Sequence, residues 1–327
     1  MPAKKIPPVL EILRDNIMNY GNPLALKPKE NATWAKDLLL PTKGEILFYS
    51  GGEYQLLPYI DSLVKTITYV DSTSKIFSWL MEARKIVNLT GINAEKIYAS
   101  LLAKDKARFY SINYKAVVIL QKLGYEVCYD SQSDLYSGAL LYELGFWRDL
   151  KNYASRLTEI IRKTQAKTLV CISPHAAEMF KLIYPQLIDF PQIEVITFIE
   201  LVWRKREFLP PLNFDNPVVI HDSCRLAREL GVSQELRDIL SSVNVKSVEP
   251  FRNREWTTCC GGPSKMLFPQ ISKIVAGRRI AELAETGART VLTSCPYCLS
   301  ALQSGVDNSS EIMLEDFVEF LYRGFEK

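Results

Sequence analysis

The chain has 327 residues, 47% hydrophobic and 24% charged, enough for two domains of ordinary size around a buried core. Its net charge of +3 is mild, and no basic patch is interleaved with aromatic residues, which excludes a nucleic-acid binder. No run of about 18 apolar residues exists to span a bilayer, and the first residues, MPAKKIPPVLEILRDN, lack the apolar core and cleavage site of a secretory signal. A reducing, cytoplasmic setting is expected, either free or peripheral to a membrane complex.

Residues 1–44 read as an arm punctuated by Pro2, Pro7, Pro8, Pro23, Pro28 and Pro41. The spacing predicts one helix, Val9 to Asn19, stopped by Gly21-Asn22-Pro23 because a residue before proline avoids the helical region. Glu45–Tyr49 predicts a strand that runs into the Ser50-Gly51-Gly52 turn. A helix follows through Tyr54, Leu57, Ile60, Leu63 and Val64. From Lys75 to Leu123 the pattern is helical, with Ile76, Leu80, Ile86 and Val87 on one stretch and Ala116, Val117, Leu120 and Leu123 on another. Glu126–Tyr129 and Lys167–Ile172 predict strands. Helices are expected after the Asp134 turn, from about Lys151 to Lys163, and from Ser173-Pro174 onward.

Pro210-Pro211 reads as a linker to a second half. There Pro217–Ile220, Val245–Val248 and Arg289–Thr293 predict strands. The helix after Pro269 is expected to turn Ile271, Ile274, Val275, Ile280 and Leu283 inward, and Gly287 ends it. Strands alternating with helices argue for an α/β fold with parallel sheets built from βαβ units. The domains expected are an arm (1–44), a first α/β domain with a helical insertion (45–211), and a second α/β domain (212–327).

The two halves look like copies. Tyr136-Ser137-Gly138-Ala139 lies where Cys259-Cys260-Gly261-Gly262 lies. Ser173-Pro174-His175-Ala176 lies where Cys295-Pro296-Tyr297-Cys298 lies. The steps from Ser137 to Ser173 and from Cys260 to Cys295 are 36 and 35 residues. Gly51-Gly52 matches Ser223-Cys224.

Five of the seven cysteines fall in positions 224 to 298, with 34 residues lying between Cys224 and Cys259 and 34 between Cys260 and Cys295. Each ligand segment follows a predicted strand, and loops at the carboxyl edge of a parallel sheet converge on one crevice. Gly261 and Gly262 let the backbone turn tightly there, and helix N-termini favour thiolate. Adjacent Cys259 and Cys260 have α-carbons about 3.8 Å apart, too close for an ordinary disulfide between them. An iron–sulfur site, a zinc site or a free redox thiol remains. Zinc closes at four ligands and leaves one cysteine over. An ordinary cubane cluster also takes four, whereas a cluster of altered shape uses all five.

These motifs, with His221-Asp222 just before Cys224, resemble the CCG cysteine-rich domain. That domain occurs in the B and D components of heterodisulfide reductase and in related iron–sulfur subunits of glycerol-3-phosphate, lactate and succinate oxidising systems. The resemblance covers residues 12–327. Arg14-Asp15-Asn16 and Gly21-Asn22-Pro23 are similar to the segment that joins a ferredoxin-like module to the first such domain in longer members. The resemblance implies a non-cubane 4Fe–4S cluster on Cys224, Cys259, Cys260, Cys295 and Cys298. It also implies electron relay or two-electron disulfide and thiol chemistry at that cluster. Cys260 and His221 are the candidate catalytic residues; His221, at a strand end, is expected to hydrogen-bond a cluster sulfur, supply a proton or cap the backbone. In the first copy Gly52, Tyr136, Ser137, Ser173 and Ala176 stand where a complete domain has cysteines, so a single cluster is expected. No GxGxxG motif follows a strand, so flavin and further clusters are expected from partner subunits, and a disulfide or other sulfur compound as the substrate class. A zinc-bound scaffold subunit is the alternative.

The remaining chemistry-bearing residues carry bland expectations. Cys128 and Cys171, in strands, read as small buried hydrophobes. His175 and Tyr136 read as packing groups, and Arg225, Arg252, Arg254 and Lys265 as solvated cations. Trp203-Arg204-Lys205-Arg206-Glu207 reads as an exposed face.

Overall fold

A computed structural model describes residues 8–69, 106–307 and 311–326. Two parallel sheets of four strands carry the fold. The first comprises β1 (Ile46–Tyr49), β2 (Val127–Cys128), β3 (Thr168–Cys171) and β4 (Glu194–Thr197), in the order β2-β1-β3-β4. The second comprises β5 (Val218–Ile220), β6 (Ser247–Val248), β7 (Thr290–Thr293) and β8 (Met313–Asp316), in the order β6-β5-β7-β8. The same strand order twice, all parallel, is what a duplicated βαβ unit gives.

The central strands explain the register. β1 pairs β3 from Ile46 opposite Thr168 to Tyr49 opposite Cys171, and β5 pairs β7 from Val218 opposite Thr290 to Ile220 opposite Leu292. Leu-Phe-Tyr in β1, Leu-Val-Cys in β3 and Val-Val-Ile in β5 are buried on both faces, as apolar runs in a two-sided parallel sheet must be. The helices that cover the sheets are α1 (Pro8–Tyr20), α2 (Glu53–Tyr69), α3 (Lys106–Lys122), α4 (Trp147–Arg162), α5 (Pro174–Glu178), α6 (Gln234–Ser242), α7 (Pro269–Ala284), α8 (Pro296–Gly305) and α9 (Phe317–Tyr322). Among the described residues no helix is long and apolar enough to cross a membrane.

Several expectations held to within a residue or two: the first helix, β1, β3, β5 and β7, and the helix after Pro269. Two edge strands, β4 and β8, have no counterpart in the expected pattern, because Glu-Val-Ile-Thr and Met-Leu-Glu-Asp carry too few apolar residues to signal a strand. The helical pattern over Ile76, Leu80, Ile86 and Val87 lies outside the described residues. The helix α7 is corrected in its orientation. Ile271 and Ile274 are 55% and 59% exposed, while Ser272, Ala276, Arg279, Ile280, Glu282 and Leu283 face inward. The helix carries apolar residues on both faces, so periodicity alone did not single out the inner one.

The apolar core does not divide at Pro210-Pro211. One cluster holds Phe48 and Val170 of the first sheet together with Val219 and Val291 of the second. Polar bridges also cross between the halves. Tyr54 donates to Asp316 at 2.6 Å, the Arg108 guanidinium meets Glu319 at 2.8 Å, and Lys265 meets Asp61 at 2.6 Å.

Candidate metal centre

Three loops at the carboxyl ends of β5, β6 and β7 deliver the thiols. After β5, His221 anchors its backbone N–H on Leu292 O at 2.8 Å, and the chain reaches Cys224 at the start of a helical turn. After β6, the loop to Cys259-Cys260 is fastened by Asp222. Its carboxylate accepts from Arg237 at 2.6 and 2.8 Å and from the Arg254 backbone N–H at 2.7 Å, while Thr257 donates to Asp222 O at 2.8 Å. After β7, Cys295 caps α8, and Pro296 at its first position suits a helix start.

The CCG turn depends on its glycines. Gly261 has φ +87°, and a Cβ there would lie 2.7 Å from Ser272 O on α7. A Cβ on Gly262 would lie 3.2 Å from Cys260 Sγ and from Tyr297. The tight turn aims two amides at sulfur: Gly261 N–H donates to Cys259 Sγ and Gly262 N–H to Cys260 Sγ, each at 3.3 Å. Backbone donors of this kind stabilise thiolates without adding a titrating group.

The sulfurs form a connected chain. Cys260 Sγ, Cys298 Sγ and a ring nitrogen of His221 lie within 4.8 Å of one another. Cys259 and Cys298 both engage Cys260, and Cys298 engages Cys295. Bonding from Cys259 and Cys298 holds the Cys260 thiol well below its usual range against the effect of burial. Burial opposes ionisation of Cys295, yet bonding to Cys298 and His175 holds that thiol low as well. Their neighbours move the other way: Cys298 is pushed up by Cys260 and Cys295, and Cys259 by Cys260. Cys224 is the outlier. It is half-buried and pushed up by burial and by the nearby Cys295 and Cys260 thiolates. The first of the three loops therefore comes close enough to feel the other two.

Buried polar atoms with no hydrogen-bond partner include Ser223 Oγ and Ser294 Oγ, each next in sequence to a cysteine, and His221 Nε2. Five thiols on three converging loops, two of them with pKa values pushed well below the usual range, fit a thiolate-bound metal group. Cys128 and Cys171, by contrast, are buried in β2 and β3 of the first sheet, and burial pushes both thiols up.

The first copy is built differently at the matching place. Ser137 donates to the Glu53 carboxylate at 3.2 Å, and Ser173 donates to its other oxygen. Burial raises Glu53 from 4.5 to about 7, opposed by the nearby His175 and the two serines. Gly52 has φ +67°, and a Cβ there would lie 2.2 Å from Asn31 Nδ2. A buried carboxyl group thus occupies the centre of the corresponding serine pair.

Three expectations change here. His175 is more than a packing group: it bonds Cys295, lies 3.4 Å from Glu143, and its ring meets Tyr297 at 4.5 Å. Burial opposes its protonation, but Cys295 and Glu143 raise its pKa well above the usual value. His175 and Tyr297 occupy equivalent positions in the two copies, so the matching turns meet face to face. That alignment was the signal available in the sequence. Arg225 is no solvated cation either. It bridges the halves through Glu178 at 2.5 Å and Glu143 at 3.1 Å. Lys265 is likewise bound, to Asp61 and Ser300. Arg279, which no sequence pattern singled out, is 1% exposed and donates to His221 Nδ1 at 3.1 Å.

The chain is similar to the D component of the dihydromethanophenazine:CoB–CoM heterodisulfide reductase of Methanosarcina acetivorans, with 28% identity over 211 residues, across 61% of this chain and 52% of that protein. It is 25% identical to the probable iron-sulfur-binding oxidoreductase FadF of Bacillus subtilis, across 94% of this chain and 39% of that protein. It is 23% identical to the EtfAB:quinone oxidoreductase of Syntrophomonas wolfei, across 76% and 37%. The chain thus spans about half the length of the reductase component and less of the other two. Residues 218–303, which hold all three thiol-bearing loops, match the model of the CCG cysteine-rich domain.

Proposed function

We propose that this chain is an iron–sulfur subunit of an oxidoreductase complex similar to heterodisulfide reductase. Cys224, Cys259, Cys260, Cys295 and Cys298 hold one non-cubane 4Fe–4S cluster. Such a group, when bound, would take up electrons and release them to a partner or to a sulfur substrate. The observation that carries the reading is the connected run of sulfurs, Cys259 to Cys260 to Cys298 to Cys295, with Cys224 beside it.

The chain's own residues tune that site. The Gly261 and Gly262 amides and the His221 and His175 rings surround the sulfurs with donors, which stabilise negative charge on them. Cys259 is exposed while Cys260, Cys295 and Cys298 are buried, so the first offers the way in for a partner or a sulfur substrate. Flavin and additional clusters belong to partner subunits in this reading. The first half closes against the centre through His175 and Arg225 without holding a second cluster.

Anaerobic purification followed by metal and acid-labile sulfide analysis tests this. Iron and sulfide in equal amounts, with visible absorption that bleaches on reduction, is the expected result. A colourless protein with stoichiometric zinc points instead to a scaffold subunit and refutes the redox assignment. Replacing Cys260 by serine separates chemistry from structure: loss of iron and of turnover in a protein that stays folded supports a working centre over a purely structural one.

A further inference from the structure

Arginine is a donor only, since its guanidinium has no lone pair to offer. The contact from Arg279 Nε to His221 Nδ1, 3.1 Å and buried, therefore fixes Nδ1 as the acceptor. In the neutral ring the single proton must then sit on Nε2. His221 Nε2 is itself buried and has no hydrogen-bond partner, while a ring nitrogen lies within 4.8 Å of the Cys260 and Cys298 sulfurs. We infer that Arg279 is a positioning residue that locks His221 as an Nε2–H donor toward the Cys260 sulfur, and so keeps His221 from serving as a metal ligand.

The lock is rigid for identifiable reasons. Arg279 is also held through one terminal nitrogen, Nη1, which meets Glu282 at 2.9 Å and Arg252 O at 3.0 Å. Glu282 is in turn clamped by the Arg252 side chain at 3.0 Å. His221 is pinned from its own backbone by Leu292 O. Neither ring nor guanidinium can turn without breaking a buried hydrogen bond. A ring nitrogen within 4.8 Å of two cysteine sulfurs would otherwise read as a third metal ligand. The direction of the Arg279 bond decides against that, because metal binding at Nε2 needs the lone pair that the proton occupies. A ligand-to-sulfur N–H bond also has a known direction of effect: it stabilises the more negative, reduced state of an iron–sulfur centre.

This inference rests on the proposed centre only for its redox consequence, and its test is arranged accordingly. The full chain is prepared with ¹⁵N-labelled histidine, which gives only two ring systems, His175 and His221. The His221 signal is the one lost in His221→Leu. If the protein carries iron, pulsed electron paramagnetic resonance on its paramagnetic state is the readout. A weak ¹⁵N coupling accompanied by an exchangeable proton is expected; a strong coupling from directly bonded nitrogen overturns the inference. If it carries zinc, it is diamagnetic, and nuclear magnetic resonance reads the tautomer directly. A proton on Nε2 upholds the lock, and a proton on Nδ1 or a metal-bound Nε2 overturns it. The iron assignment and the tautomer thus fail separately. In the iron protein, His221→Leu and Arg279→Lys, which keeps the charge for Glu282 but loses the Nε branch, are both expected to shift the midpoint potential downward. His221→Gln, which retains a side-chain N–H, is expected to recover most of the shift. An unchanged potential in a folded, iron-replete Arg279→Lys protein refutes the positioning role. The wild-type tautomer decides the question even if that variant does not fold.

Discussion

Replacing Gly261 by alanine, measured beside the same change at Gly231, isolates what the CCG turn demands. Both glycines have left-handed backbone, φ +87° and +72°. An L-residue there costs about 1–2 kcal/mol whatever surrounds it. At Gly231 an added Cβ meets nothing within 4 Å, so the cost ends there. At Gly261 the Cβ lands 2.7 Å from Ser272 O and 3.2 Å from Ser272 Cα. These are backbone atoms of α7, and they cannot swing aside as a flexible side chain does. Forcing them apart adds about 1–3 kcal/mol, the usual range for overpacking. Gly261→Ala is therefore expected to cost roughly 2–5 kcal/mol and Gly231→Ala roughly 1–2 kcal/mol in urea unfolding of the intact protein. The displaced turn also pulls the Gly261 amide away from Cys259 Sγ, so Gly261→Ala should lose bound metal as well. Equal destabilisation by the two variants, with metal retained in both, refutes the close-packing argument.

Two further outcomes follow from buried charge. Arg237→Met strands Asp222, which is fully buried and loses two of its bonds. Breaking such a pair costs about 3–5 kcal/mol, read as a lower urea midpoint, and a loss under about 1 kcal/mol contradicts it. Glu53 gives a pH dependence. Its folded pKa of about 7 lies above the value of 4.5 natural to an exposed glutamate, so the folded state holds its proton longer. Its stabilising effect is complete below about pH 4.5 and lost as pH rises through about 7. A shift of that size corresponds to roughly 3 kcal/mol. Glu53→Gln, which keeps a partner for Ser137 and Ser173, is expected to flatten the decline in stability between about pH 5 and pH 8. An unaltered decline means that Glu53 is not its source.

The centre was legible in the sequence because its signals are local. Cys259-Cys260-Gly261 and Cys295-Pro296-Tyr297-Cys298 each sit at the end of an apolar strand, and strand ends of a parallel sheet converge. The duplicated strand order was legible for the same reason, through the spacing that relates Ser137 and Ser173 to Cys260 and Cys295. What escaped was set by partners distant in the chain. Arg279 lies on a helix with apolar residues on both faces, so nothing in its spacing marks it as the inward one. Ile271 and Ile274 were assigned inward by the same ambiguity. His175 reaches a thiol in the other half only because two equivalent turns meet, and Arg225 is paired with carboxylates 47 and 82 residues away.

The central claim is that thiols from three loops hold one centre, and metal content across single cysteine variants tests it most directly. Cys224→Ser, Cys260→Ser and Cys295→Ser each remove a thiol from a different loop, while Cys128→Ser and Cys171→Ser alter buried thiols of the first sheet. Loss of iron from each of the first three, with iron retained by the last two, is the predicted result. Full iron in all three loop variants, or iron that depends on Cys128 or Cys171, contradicts it.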